Sequence, residues 1–512
     1  MPSWTGDSVS ISDPAASPQP VDTVSNDSSR AGALTTTDAD AAASGETTSA
    51  TATRATPVRP RGKGWFRAFW RWHFYASFLV VPVLLLLAVT GLIYLLRFQL
   101  EPMLNADVMT VKPPAGAQAD ARQSYDSQLA AVTTAHPDAT LVSMTEPSAL
   151  DQPTAFSTTV DGEPLDVYVN PWDATVLGSL NPDTTLSGYA VRLHGELMAG
   201  PVGDAVIELA ACWALVMAIT GYILFVRGRR NRARQAAAKA KGALLRHRHA
   251  AVGAVLGVGL LALLVTGLPW TGIWGEKAQQ LATAGGSSLW SDDPGALSNP
   301  TSTLDESLPH SHDVPWALGN TTVPQSTPGD ERSTASIDTA VTVAQREGLA
   351  RPLTIALPED DKGVYSVIGY AFNDPGRERT VHVDRYGGTV VSSYGYRDYP
   401  VLAKVVAQGI SLHEGRRFGT LTFWITIAFC LGVIFMCVTG PLMWWRRRPK
   451  GAGTLGAPRG RLPLRTTPLL ALVIVGLAVL LPLFGVSLVV ILLLDQLLLR
   501  RVPRLKNWFA TT

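Results

Sequence analysis

Residues 73–90, HFYASFLVVPVLLLLAVT, and residues 249–266, HAAVGAVLGVGLLALLVT, decide the fold of this chain. Each opens on a histidine, runs through an apolar stretch and closes on a threonine that a glycine follows. The step from His73 to Thr90 is 17 residues, and that from His249 to Thr266 is the same. A membrane-crossing helix takes about 20 mostly apolar residues. In lipid a helix is favoured because it satisfies its backbone polar groups within itself. Both stretches therefore read as spans with a histidine at one end.

Two more apolar stretches, 204–226 and 420–445, carry the same pair as Thr220-Gly221 and Thr439-Gly440. Each threonine follows a histidine, His194 or His413, by 26 residues. The order histidine, span, intervening region, histidine, span thus occurs twice, the mark of an internal duplication. The intervening regions repeat as well. VYVNPWDATVL from Val167 matches VHVDRYGGTVV from Val381, and Ala135-His136-Pro137 matches Ala350-Arg351-Pro352. Each unit reads as a helix, a turn at proline, then alternating strands, a small α+β domain of about 80 residues.

Basic residues orient the spans. Residues 54–71 carry six Arg or Lys, 227–248 nine and 446–465 seven, all without an acid. These stretches should be cytoplasmic, and the long acid-containing regions between them should lie outside. A last apolar region, 467–499, holds Pro482 near its middle. It is too long for one ordinary span and reads as a helical hairpin, giving six spans with both termini cytoplasmic. The first apolar block begins too late for a cleavable signal peptide. The expected fold is thus a membrane α-helical bundle, four core spans as two repeats plus a C-terminal hairpin, with two small extracytoplasmic α+β domains. Its layout is a disordered tail at 1–60, spans at 65–98, 201–227, 249–274 and 413–446, outer domains at 99–200 and 275–412, basic loops at 228–248 and 447–465, the hairpin at 466–500 and a tail at 501–512. Trp65, Trp70, Trp72, Trp270, Trp274, Trp444 and Trp445 flank the spans as an interfacial belt.

The duplication selects four of nine histidines. It prefers His249 to His247 and sets aside His136 and His382, whose repeat partners are Arg351 and Tyr168. His310 and His312 make only an incidental H-x-H. Topology places His73 and His249 at the cytoplasmic ends of their spans, and His194 and His413 at the outer side. Imidazole is a good axial ligand for haem iron, and helix bundles hold cofactors between facing helices. Two pairs of histidines therefore point to two b-type haems, one near each face. No CxxCH occurs, so covalent attachment is excluded. A di-metal or proton-relay site and plain interfacial anchoring are the competing readings. Zinc is disfavoured because only Glu196 and Glu414 lie near the histidines. Those two acids could orient an imidazole or contact substrate. Arg192, Arg416 and Arg417 beside the outer histidines could pair with haem propionates or an anionic ligand. The Thr-Gly pairs, Gly200 and Gly419 read as room for close approach, and Pro82 as a bend. Cys212, Cys430 and Cys437 read as small buried hydrophobes.

This pattern resembles the PepSY-associated transmembrane family, over about residues 65–500. The resemblance rests on WHFYASFLVVPVLLLLAVTGLIYLLR, LHGELMAG, HAAVGAVLGVGLLALLVTGLPW and LHEGRRFG followed by VTGPLMWWRRR. LDVYVNPWDATVLG is similar to the PepSY domain itself. The chain departs from the family after His73, where Phe-Tyr-Ala-Ser-Phe stands instead of a nearby glycine; His249 does have Gly253. The resemblance implies two haems on His73, His249, His194 and His413 in a bacterial inner-membrane protein. It also implies reduction of a ferric siderophore or another small-molecule acceptor outside. The chain has no GxGxxG after a strand and no room for a flavin domain. The expected donor is a cytoplasmic reductant, a quinol or free reduced flavin. Membrane lipid is an expected partner and nucleic acid is not. The alternative is a PepSY-type binding or regulatory protein without redox activity. A transporter is a third reading, weakened because Glu208 and Asp495 are the notable acids in the spans.

Overall fold

The computed structural model describes residues 62–240, 242–284, 321–326, 333–447, 455 and 467–509. The expected tail at 1–60, and with it His310 and His312, lies outside the described residues.

Five helices are long and apolar enough to cross a membrane. Four of them form the bundle: α1 (Gly62–Leu95), α6 (Gly200–Ala237), α7 (Ala243–Gly267) and α11 (Thr420–Arg447). α1 runs through Pro82 without ending. α6 is 38 residues long and continues to Ala237, and α7 begins at Ala243, so most of the basic stretch 228–248 expected as a loop is helix. α1 and α7 each pack against both α6 and α11, so the four stand in a ring with α1 and α7 diagonally opposed. Small residues let the ring close. A Cβ at Gly253 would meet Met436 at 2.7 Å, one at Gly257 would meet Tyr222 at 2.8 Å, and one at Gly259 would meet Phe429 at 2.8 Å. Tyr222 Oη also donates to the Ala254 carbonyl at 2.6 Å, tying α6 to α7.

Between the first two spans lie α2 (Arg97–Leu104), α3 (Ala106–Met109), α4 (Tyr125–Ala135), β1 (Thr140–Thr145), β2 (Thr154–Val160), β3 (Glu163–Val169), β4 (Val176–Leu180) and α5 (Leu186–Glu196). After α7 come α8 (Gly272–Ala284), α9 (Ile337–Arg346), β5 (Leu353–Ala356), β6 (Val364–Gly369), β7 (Arg379–Asp384), β8 (Val390–Gly395) and α10 (Val401–His413). The strands form one antiparallel sheet in the order β4-β3-β2-β1-β5-β6-β7-β8. The two units expected as separate small domains are therefore joined edge to edge. Met144 pairs with Ile355 at the junction, flanked by Ser143 with Ala356 and Thr145 with Thr354. An open edge leaves backbone N–H and C=O groups unpaired, and pairing β1 with β5 closes one edge of each unit, leaving β4 and β8 as the outer strands.

The halves are built alike around that junction. A register break falls at Tyr168/Val169 against β4 and at His382/Val383 against β8, the positions the sequence aligns. Ser124 caps α4 and Ser336 caps α9, each hydroxyl accepting an N–H three residues on. The helices meet, and the Asp338 carboxylate accepts from the N–H groups of Tyr125 at 3.0 Å and Asp126 at 2.9 Å. Their apolar faces bury one shared core with the sheet, including Val132, Phe156, Val167, Ile337, Leu353 and Val381. Across the junction Glu146 is almost fully buried, and it pairs with Arg351 and accepts from Tyr125 Oη at 2.8 Å and from the Leu353 N–H at 3.0 Å. Burial, then the Glu146 charge, pushes the Tyr125 hydroxyl well above its ordinary pKa.

The C-terminal apolar region breaks at Pro482, where the sequence places the turn. α12 (Pro468–Leu480) has 13 residues and α13 (Pro482–Leu494) is prolonged by a π-helical turn to Leu499. Proline has no N–H to continue the ladder, and Trp274 Nε1 donates to the Leu480 carbonyl at 3.0 Å. Six spans were expected. α12 is only about 20 Å long at 1.5 Å per residue, against a hydrocarbon core of about 30 Å, so five helices meet the length. After α14 (Pro503–Trp508), the Phe509 carbonyl accepts from Tyr75 Oη at 2.7 Å, which returns the chain to the end of the bundle where α1 begins.

Candidate functional site

All four selected histidines sit in the same local arrangement. His73 on α1 places Nδ1 3.4 Å from Thr220 Oγ1 and 2.9 Å from the Met217 carbonyl on α6. His194 on α5 places Nδ1 2.9 Å from Thr90 Oγ1 on α1. His249 on α7 and Thr439 on α11 are 3.0 Å apart, and His413 on α10 and Thr266 on α7 are 3.1 Å apart. Within each half the circuit is the same. The histidine early in the first span rests on the second span, and the histidine before the second span rests on the first.

These contacts favour the ring proton on Nδ1. Each threonine hydroxyl has one hydrogen, and each gives it to its own helix: Thr90 to Leu86, Thr220 to Val216, Thr266 to Ala262 and Thr439 to Phe435, at 2.8–3.0 Å. The oxygen is left to accept. The Met217 carbonyl also lies 2.9 Å from Nδ1 of His73, and a carbonyl can only accept. Nδ1 is therefore the donor, and the neutral ring keeps its lone pair on Nε2. A metal-binding imidazole is commonly fixed by a hydrogen bond from its other nitrogen.

The glycine after each threonine lies under the ring edge. A Cβ there would stand 3.0 Å from His413 Cε1 at Gly267, 3.2 Å from His73 at Gly221, 3.4 Å from His194 at Gly91 and 3.8 Å from His249 at Gly440. The Thr-Gly pairs read from the sequence as helix packing thus seat the histidines, threonine by hydrogen bond and glycine by space. All four histidines are half-buried as residues. His73 lies near enough to His249, and His413 to His194, for the charge of one to act on the other. Trp270 stands edge-on to His413 at 5.5 Å.

The neighbouring charged residues are engaged with one another. Arg192 pairs with Glu196 at 3.8 Å, Arg416 with Glu414, and Arg417 with Asp374 at 3.5 Å and with Gln408. Tyr94 Oη donates to Glu414 at 3.4 Å. The imidazole-orienting role suggested for Glu196 and Glu414 is filled by the threonines. A Cβ added at Gly200 or Gly419 would meet no atom within 4 Å; their φ values of +55° and +58° explain glycine before each second span. Glu208 is fully buried. Its Oε2 accepts from the N–H groups of Ile273 at 3.1 Å and Trp274 at 3.0 Å, while Asp204 takes that of Gly272 at 2.7 Å, and together they cap α8. The cysteines are free and buried, as expected.

Beside Arg416, Glu378 accepts from Tyr399 Oη at 3.2 Å. Burial raises its carboxyl to about 7 from an ordinary 4.5, against the opposing pull of Tyr399 and Arg416. Among the described residues no group of three or more His, Cys, Asp or Glu side chains is placed to hold a metal ion. Two imidazoles with free Nε2 lone pairs suit a ligand that brings its remaining donors with it. A haem does so, and the glycine-backed rings fit it.

No curated protein matches the chain. The family model described as the PepSY-associated TM region matches residues 70–447, from just before His73 to the end of α11. A multi-pass helical protein with this match belongs to the PepSY-associated transmembrane family.

Proposed function

We propose that this chain carries electrons across the bacterial cytoplasmic membrane through two b-type haems, from a cytoplasmic-side donor to an acceptor outside. His73 and His249 would hold the inner haem, and His194 and His413 the outer one. The observation that carries the reading is the fourfold Nδ1–threonine contact, which leaves an Nε2 lone pair on each of two neighbouring pairs of rings. Haem, when bound, supplies a one-electron carrier whose potential its axial ligands and their hydrogen bonds tune.

The chain's own residues do the rest. Thr90, Thr220, Thr266 and Thr439 hold the ring protons on Nδ1 and fix the rotation of each imidazole. The glycines beside them keep the ring edges clear. The apolar bundle excludes water and lowers the dielectric around both pairs. A ferric siderophore is the acceptor this reading favours. Hard-oxygen chelators hold iron(II) less strongly than iron(III), so one electron delivered outside loosens the metal.

The full chain purified from haem-replete cells is expected to show a Soret band and two haems per chain. His249→Ala and His194→Ala should each lose one of the two. A folded, colourless protein, or unchanged haem content in both variants, would sink the reading.

A further inference from the structure

The two halves differ at one hairpin. In the first unit β2 and β3 are joined by two residues, Asp161 and Gly162, whereas residues 370–378 join β6 to β7. The longer loop reaches the end of α1. Tyr370 and Phe372 stack nearly parallel, 5.8 Å apart and 8° between planes, and Phe98 meets Phe372 edge-on at 5.4 Å. The Arg97 guanidinium lies 3.9 Å from the Tyr94 ring centre, 4.2 Å from that of Phe98 and 5.8 Å from that of Phe372. Arg416 covers Phe372 from another direction at 4.9 Å.

Two properties make this cluster more than a weld between sheet and bundle. The first is charge. Arg416 is neutralised by Glu414. Arg97 donates to the Tyr94 carbonyl at 2.9 Å, and among the described residues it forms no ion pair with a carboxylate. The second is exposure. Phe98 is 54% exposed and Tyr370 38% exposed. An interfacial belt accounts for Phe98, but Tyr370 and Phe372 come from the sheet. Flat accessible rings around an uncompensated guanidinium suit a ligand that is aromatic and anionic, because rings stack and carboxylate or phenolate oxygens match the guanidinium fork. The cluster also adjoins the sheet-side histidines. Tyr94 lies one turn beyond Thr90, the partner of His194, and its hydroxyl reaches Glu414, which follows His413.

We propose that Arg97, Phe98, Tyr370 and Phe372 form a docking platform for an anionic metal chelate with aromatic, catecholate-type arms, in preference to an aliphatic hydroxamate chelate. That the bound chelate is the electron acceptor rests on the function proposed above; the binding does not.

The test uses redox-inert gallium(III) complexes of 2,3-dihydroxybenzoate and of acetohydroxamate, titrated against the full chain in nanodiscs while haem content is measured separately. The catecholate complex should saturate, with at least tenfold tighter binding than the hydroxamate complex. Arg97→Gln and Tyr370→Ala should each weaken it about tenfold, and Arg97→Lys by less than Arg97→Gln. Tyr370 is exposed, so its loss should leave the fold intact. Equal binding of the two complexes overturns the platform, as does wild-type binding by both Arg97→Gln and Tyr370→Ala. So does an Arg97→Gln defect confined to retention of anionic lipid. Selective binding by a colourless protein upholds the platform and removes the electron-transfer reading. A haem-replete protein without selective binding does the reverse.

Discussion

His413 Nδ1 stands 3.1 Å from Thr266 Oγ1, and the hydroxyl hydrogen of that threonine is committed to the Ala262 carbonyl at 3.0 Å. That leaves the threonine oxygen to accept from the ring. The same relation joins His73 with Thr220, His194 with Thr90 and His249 with Thr439.

Thr266→Val keeps the shape of the side chain and removes the acceptor. Outer-shell partners of a ligating histidine are typically worth 10–100-fold in metal affinity. On the proposed di-haem reading, Thr266→Val should therefore lower retention of the sheet-side haem about tenfold, and Thr266→Ser should restore it. Haem content after dialysis against apomyoglobin measures this. Equal retention in wild type and Thr266→Val would show that the contact does not orient a ligand.

The glycines should be unequal. A Cβ at position 267 would stand 3.0 Å from His413 Cε1, tighter than ordinary contact, while one at 440 would stand 3.8 Å from His249. Gly267→Ala is expected to disturb the haem spectrum and Gly440→Ala to leave it nearly unchanged. Reduced-minus-oxidised spectra of the two variants check the order.

Glu146 joins the two halves of the sheet through Arg351, Tyr125 and the Leu353 N–H. Breaking a buried charge pair from one side costs about 3–5 kcal/mol, but Arg351 is 43% exposed and regains water. Glu146→Ala should accordingly destabilise the sheet by roughly 2–3 kcal/mol, the lower end after solvent screening. Arg351→Ala should cost at least as much, because it strands a buried carboxylate. Limited proteolysis of the sheet across denaturant reads both effects.

Glu378 gives a pH dependence of definite sign. Its carboxyl is raised by burial to about 7 from 4.5, so between those values the folded state binds the proton more tightly than the unfolded state. Stability from this group is complete below about 4.5, falls as pH rises through 7, and is then flat. Glu378→Gln should flatten that slope and raise the melting temperature of the sheet at pH 8 relative to wild type. A wild-type curve that rises from pH 5 to 8 and is unaltered by the substitution would contradict the assignment.

Much of this was legible in the sequence because it follows from local constraints. The spans announce themselves by apolar length, and the break in the last apolar region by Pro482. The 17- and 26-residue spacings picked His73, His194, His249 and His413 from nine candidates because both spacings recur in the internal duplication. The Thr-Gly pairs were visible too, but hydropathy treats a threonine that accepts from an imidazole and one that eases helix packing alike.

The sequence by itself determined which residues are apolar, which are paired by duplication and where each histidine sits along its helix. Only the tertiary structure decided which helix each histidine rests on, since the partners lie 104 to 190 positions away. It also decided that β1 and β5 close two units into one sheet, and that the loop 370–378 brings Tyr370 and Phe372 to Arg97. The physical reason is common to all three. Hydrogen bonds, edge pairing and ring stacking depend on distance in space, and a periodic pattern fixes distance only along its own element.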